Sequence, residues 1–225
     1  MPTTASRPRN VLATDFDGTL TDRDAYVVIA EQLTADPPAQ QRDHWAAYRA
    51  GKLSLFAALD AIFTSIGHHD EATVRAALDS AGLQPGLAGL VADLRRGGWE
   101  VVVVSAGCDW YITHLLDGAG VDVEVIANPG HFEPGRGIVM QPPPDSPYAS
   151  PTHGIDKAAV VRDLHTRYDR VAFAGDGVFD LGAAREVVPE LRFARRDLAR
   201  VAAAEGLAFR SFAQWSDVAA AVLDA

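Results

Sequence analysis

The chain is poor in cysteine: Cys108 is the only one among 225 residues. No disulfide can form within it, and a reducing, cytoplasmic setting is expected. It lacks any apolar run near the ~20 residues that a bilayer-spanning helix requires. The polar stretch 1–10 carries Arg7 and Arg9 with no apolar segment behind it, so no secretory leader is expected. Basic residues are the scarcer charge, 20 Lys and Arg against 30 Asp and Glu, for a formal charge of −10. That excludes a general binder of nucleic acid or of anionic membranes, both of which need a basic face. Internal repeats are absent too.

What is present is ordinary globular material, 48% apolar and 22% charged. At roughly 150 residues per domain, the length suits one large domain or one domain with an insertion. Such a chain buries roughly 70% of its unfolded surface and needs neither disulfides nor zinc to hold a core. Short Val/Leu-rich runs at 11–14, 101–104 and 171–174 stop abruptly in turn residues, the pattern of fully buried strands. Weaker strands are predicted at 123–127, 191–194 and 208–210. Helical spacing lies between them, at 86–96, 109–116, 156–168 and 181–188. Ser211-Phe212-Ala213-Gln214 reads as a capping box that opens a last helix. Strands alternating with helices predict βαβ units and a mostly parallel sheet buried on both faces.

Two stretches break the alternation. Residues 22–84 are helix-like throughout, with breaks at Pro37-Pro38, Gly51 and Gly67, and read as an insertion after the first strand. Residues 128–154 carry seven prolines and predict an irregular excursion with a small hairpin around Gly135-Arg136-Gly137.

In open parallel sheets, ligands bind beyond the carboxyl ends of the strands. The acids of this chain gather there. Asp15 and Asp17 follow the first strand, Ser105 follows the second, and Asp176 and Asp180 follow the third. Carboxylates at the end of a buried strand are costly unless compensated, and a divalent cation is the simplest compensation. All-oxygen ligands suit Mg²⁺. The glycines of Gly175-Asp176-Gly177 lack the spacing of a dinucleotide fingerprint, and the alternating acids and distal Glu of a calcium loop are missing.

These residues resemble the haloacid dehalogenase superfamily. Asp15-Phe16-Asp17-Gly18-Thr19-Leu20-Thr21 matches its first motif, Ser105 its second, Lys157 its third, and Gly175-Asp176-Gly177-Val178-Phe179-Asp180 its fourth. The resemblance implies an α/β fold: a Rossmann-like three-layer core formed by 1–21 and 85–225, with a helical cap of the C1 type at 22–84. It implies a Mg²⁺-dependent phosphomonoester hydrolase that works through an aspartyl-phosphate. Asp15 would be the nucleophile and Asp17 the acid and base. Asp15, Asp176 and the main-chain carbonyl of Asp17 would hold the metal, with Asp180 in support. Ser105 and Lys157 would hold the phosphoryl oxygens, aided by backbone N–H groups around Gly18, Ala106 and Gly107.

Within the superfamily the chain is most similar to the phosphoserine phosphatase-like branch, and there to the methionine-salvage phosphatases. The run through Asp22-Arg23-Asp24, the segment before Lys157, and Phe193-Ala194-Arg195-Arg196-Asp197-Leu198 carry that similarity. Phe179 and Gly18 depart from phosphoserine phosphatases, which usually have Asn and Ser there, so phosphoserine is disfavoured as substrate. A helical cap implies a small phosphorylated metabolite, acted on by a monomer or homodimer. Phosphoserine hydrolysis, and transfer to an alcohol as in an aspartate-based phosphomutase or phosphotransferase, are the alternatives. Arg42, Arg49 and Lys52 are candidates for an acidic group on the substrate, and Trp45 and Tyr48 for contact with it. His68, His69 and His131 read as surface residues and Cys108 as packing.

Overall fold

The computed structural model describes residues 10–34, 43, 44, 46–48, 50–143 and 145–225. Among the described residues, in chain order, β1 (Asn10–Thr14) is followed by α1 (Ala25–Leu33), α2 (Leu55–Thr64) and α3 (Glu71–Leu78). Then come α4 (Leu87–Arg96), β2 (Trp99–Cys108), α5 (Asp109–Gly118) and β3 (Glu124–Asn128). Four short strands follow: β4 (Gly130–Glu133), β5 (Gly137–Met140), β6 (Ala149–Ser150) and β7 (Gly154–Ile155). The chain ends with α6 (Lys157–Arg167), β8 (Arg170–Gly175), α7 (Leu181–Arg185), β9 (Arg192–Ala194), α8 (Arg196–Ala204), β10 (Arg210–Ser211) and α9 (Trp215–Leu223).

Six strands form one sheet in the order β10-β9-β8-β1-β2-β3, every neighbouring pair parallel. Side chains alternate across it, as the two-residue period requires. Leu12, Val101, Val103 and Ala172 enter one apolar cluster with Leu94 and Trp215. Val11, Ala13, Val102, Val104, Val171 and Phe173 enter the other with Val160, Val161 and Leu164. Both faces are therefore covered, and the polar residues of the central strands can only emerge at their ends. None of the helices among the described residues is long and apolar enough to cross a membrane.

The stretch that carries α1, α2 and α3 leaves and rejoins the core at one place. Thr21 and Leu83 form an antiparallel bridge, and Asp22 N–H donates to Gly82 O at 2.8 Å. Capping side chains start α2 and α3: Ser54 Oγ accepts from Ala57 N and Asp70 Oδ1 from Thr73 N. Leu55, Ala58, Leu59, Ile62 and Phe63 form the buried face of α2.

The proline-rich segment holds more order than its composition predicts. β4 and β5 form the expected hairpin, with Glu133 opposite Gly137, and β6 and β7 form a second. The first hairpin lies against the insertion so closely that a Cβ on Gly137 would come within 2.5 Å of Phe63 O. The second is tied there by Phe56 N–H donating to Thr152 O at 3.1 Å. Elsewhere, the capping box is displaced. Ser211 belongs to β10, and Asp217 Oδ2 accepts from the N–H groups of Ala213 and Gln214 instead. Helix α8 has no counterpart in the sequence reading, because its buried positions are only Leu198 and Ala202 and the apolar stripe is thin.

Candidate active site

The sheet delivers the charged residues to one end. Asp15 follows β1 directly and its N–H still donates to Ala174 O of β8 at 2.9 Å, which locks two acid-bearing strand ends side by side. Beyond it the chain turns sharply: the N–H groups of Thr19, Leu20 and Thr21 all donate to Phe16 O. The turn sends the two carboxylates of Asp15-Phe16-Asp17 to different places, where an extended chain would point both the same way.

Asp15 is buried and meets the acids of the third strand end. Ligand oxygens of Asp15, Asp176 and Asp180 all lie within 4.8 Å of one another. Lys157, at the start of α6 and only 8% exposed, donates to Asp15 Oδ1 at 2.5 Å and to Asp180 Oδ1 at 2.6 Å. Thr19 Oγ1 donates to Asp15 Oδ2 at 3.2 Å. Asp180 has further inward partners, the N–H groups of Asp176 and Gly177 at 3.0 and 2.9 Å, so it shapes the loop that presents Asp176. Burial, reinforced by Asp180, pushes Asp15 well above the usual carboxylate range, although Lys157 pulls it down. Burial and Asp180 likewise push Asp176 up to about 6. The same surroundings push the Lys157 ammonium above its ordinary value, since attraction to Asp15 and Asp180 outweighs its burial.

Asp15 and Asp180 thus share one buried ammonium, and Asp176 beside them pairs with Arg196 at the rim. Two unit charges 4 Å apart repel by about 4 kcal/mol at an effective dielectric of 20. A missing positive charge among oxygen-only donors is what a hard dication supplies, so the donor set fits Mg²⁺.

Asp17 stands outside this group. Its Oδ1 accepts from Ala25 N at 2.7 Å and its Oδ2 from the Tyr111 hydroxyl at 2.5 Å. Burial, with nearby Asp24 adding to it, pushes Asp17 up to about 7, while these hydrogen bonds pull the other way. The expectation that Asp17 ligates metal therefore does not extend to its side chain. Tyr111 itself, 1% exposed, escaped the sequence reading because it is 94 residues from its partner. A glycine signals it indirectly: a Cβ on Gly107 would fall 1.8 Å from the Tyr111 hydroxyl.

Ser105, Ala106, Gly107 and Lys157 line a cavity of about 550 Å³ together with Asp15, Asp17 and Asp176. The Ser105 hydroxyl oxygen accepts from Gly107 N at 3.0 Å. Asn128, wholly buried, donates to Ala106 O at 2.7 Å and so braces this loop from β3. Gly18 stands beside this cavity. With φ of +69°, its N–H turns to Thr21 Oγ1 at 3.1 Å, and it is absent from the cavity lining. Its lack of a side chain matters instead, since a Cβ would lie 2.4 Å from Asp176 Oδ2.

Arginines hold this loop from outside. Arg195 donates to Gly18 O and Thr19 O. Arg196 donates to Asp176 Oδ2 at 3.1 Å and to Asp22 O at 2.9 Å. Lys52 lies with Gly51 and Ser54 around a depression that shares Tyr48 with the cavity. Arg42, Trp45 and Arg49 lie outside the described residues. His68 and His131 are exposed and His69 is half-buried. Cys108 is buried, its thiol pushed up to about 12, as packing requires.

Comparison with known proteins agrees with this geometry. The family model described as haloacid dehalogenase-like hydrolase matches residues 12–185. The bifunctional enzyme MtnB/MtnX of Bacillus licheniformis is 28% identical over 209 residues, which are 91% of this chain and 47% of that protein. The chain thus spans about half the length of that relative. The 2-hydroxy-3-keto-5-methylthiopentenyl-1-phosphate phosphatase of Bacillus cereus is 25% identical over 205 residues, 91% of both chains. Among solved structures, a probable phosphoserine phosphatase from Vibrio cholerae superposes with a TM-score of 0.69 at 20% identity, covering 96% of this chain and 64% of that one. The chain belongs to the haloacid dehalogenase-like hydrolases.

Proposed function

We propose that this protein is a Mg²⁺-dependent phosphomonoester hydrolase for a small phosphorylated metabolite, with Asp15 as its nucleophile. One observation carries the reading: Asp15 sits among two further acids and an ammonium, while the second acid of its motif is held apart by Tyr111. Asp15 and Asp176, with the main-chain carbonyl of Asp17, would hold the cation. When bound, it supplies positive charge that allows a carboxylate to approach a phosphate dianion.

The rest falls to the chain's own groups. Asp15 attacks phosphorus, forming an acyl phosphate as the bond to the leaving oxygen breaks. Asp17, pushed up to about 7, is in part protonated at neutral pH and gives that oxygen its proton. The resulting Asp17 carboxylate then takes a proton from water, which attacks the phosphorus and releases phosphate with Asp15 restored. Lys157 and the Ser105 hydroxyl hold the phosphoryl oxygens, with backbone at Ala106 and Gly107 beside them. Residues 22–84 act as a cap on a core formed by 1–21 and 85–225, supported by the single neck at Thr21 and Leu83. The substrate named for the Bacillus cereus relative, 2-hydroxy-3-keto-5-methylthiopentenyl-1-phosphate, is the first compound to test.

Rapid quenching with radiolabelled acetyl phosphate tests the intermediate. Wild type should retain label after acid denaturation, and Asp15→Asn should neither trap label nor turn over while keeping its circular dichroism. Turnover by Asp15→Asn would overturn the assignment.

A further inference from the structure

The cavity above the acids has two unlike walls. The core wall is charged, with Lys157, Arg196 and Asp197 around the reacting acids. The wall from the insertion carries one described charged residue, Asp24, beside Tyr26, Tyr48, Leu55, Leu59 and Phe63. Phe179 extends this apolar surface, meeting the Tyr48 ring edge-on at 5.6 Å. The described basic residues of the insertion are engaged or placed elsewhere. Arg23 pairs with Glu31 and Arg75 with Glu71, and Lys52 borders the adjoining depression on the far side of Tyr48 and does not line the cavity. On the core side Arg195 is committed to the backbone at Gly18 and Arg196 to Asp176. Asp17, facing this space, is where the leaving oxygen must sit.

Resting on the phosphomonoesterase reading, we propose that Leu55, Leu59, Phe63, Tyr48 and Phe179 select a monoester whose only anionic group is its phosphate and whose alcohol carries a short, uncharged, apolar chain. A methylene moved from water onto this wall is worth about fourfold in transition-state binding. A carboxylate on the leaving group would be desolvated against leucine and phenylalanine or set near Asp24, and the described cations that line the cavity, Lys157 and Arg196, are already paired with its acids. Phosphoserine, of similar size, presents such a carboxylate.

The test is kcat/KM of the full chain with Mg²⁺ on methyl, ethyl, propyl and butyl phosphate and on O-phosphoserine. The value should climb about fourfold per methylene, and phosphoserine should fall at least ~100-fold below propyl phosphate. Leu59→Arg should raise the phosphoserine-to-propyl ratio at least ~10-fold by supplying the missing cation. Tyr48→Arg, at a half-buried position, makes the same comparison should the first variant fail to fold. A flat alkyl series, or phosphoserine matching propyl phosphate in wild type, overturns the selectivity while leaving the hydrolase standing. Absence of turnover on every ester, methyl phosphate included, overturns the hydrolase reading and the selectivity with it.

Discussion

Removing a single hydroxyl, by Tyr111→Phe, isolates the role of Asp17. The ring is fixed by packing, its centroid 6.2 Å from that of Phe16 and 5.7 Å from that of Phe63, so the variant keeps its shape and loses only the donor to Asp17 Oδ2. A hydrogen bond donated to a carboxylate favours the ionised form, and its loss favours the acid. Bonds to charged groups are worth about 1.5–3 kcal/mol, and one pH unit corresponds to 1.36 kcal/mol. Asp17, at about 7 in the intact protein, should therefore titrate about 1–2 units higher in the variant. An alkyl phosphate with a poor leaving alcohol needs the protonated acid. Its kcat/KM should decline through pH 7 in wild type and hold about 1–2 units further in Tyr111→Phe. An alkaline limb that stays in place, or moves down, in a variant of unchanged melting temperature would refute the link between Tyr111 and the proton donor.

Two other perturbations probe the acid cluster. Lys157→Met leaves Asp15 and Asp180 buried without their ammonium and should cost about 3–5 kcal/mol in urea unfolding at pH 7. Asp15 already titrates above its unfolded value, so its ionised form weakens the fold as pH rises and protonation relieves this as pH falls. The deficit of Lys157→Met should therefore shrink between pH 8 and pH 5, and a constant deficit would contradict the argument. Gly18→Ala forces a left-handed backbone on alanine, at about 1–2 kcal/mol, and drives a Cβ into Asp176. Mg²⁺ at a hundred times its Kd should stabilise wild type by about 2.7 kcal/mol, read as a rise in melting temperature. Gly18→Ala should show a smaller rise, and an equal one would mean that Asp176 is not a ligand.

Much of the architecture is legible in the sequence because it is written in local patterns. Val101 to Val104 alternate between two apolar clusters, which a buried run of valines predicts. The insertion is marked by a long stretch without a strand. What escaped is weakly marked or distant in sequence. Helix α8 buries only Leu198 and Ala202, the second hairpin has strands of two residues, and Asn128 braces Ala106 from 22 residues away. Arg195 grips the loop at Gly18 from 177 residues away, and periodicity carries no trace of such a contact.

The sequence by itself determined the alternation of strands and helices, the placement of acids where buried strands stop, and the family to which those acids belong. These follow from spacing along the chain, since a polar residue cannot stay inside a sheet covered on both faces. Only the tertiary structure decided which oxygens converge. The turn after β1 parts Asp15 from Asp17, sending one to Lys157, 142 residues on, and the other to Tyr111. That division sets the two carboxylates in different surroundings, and a carboxylate's chemistry is a property of its surroundings.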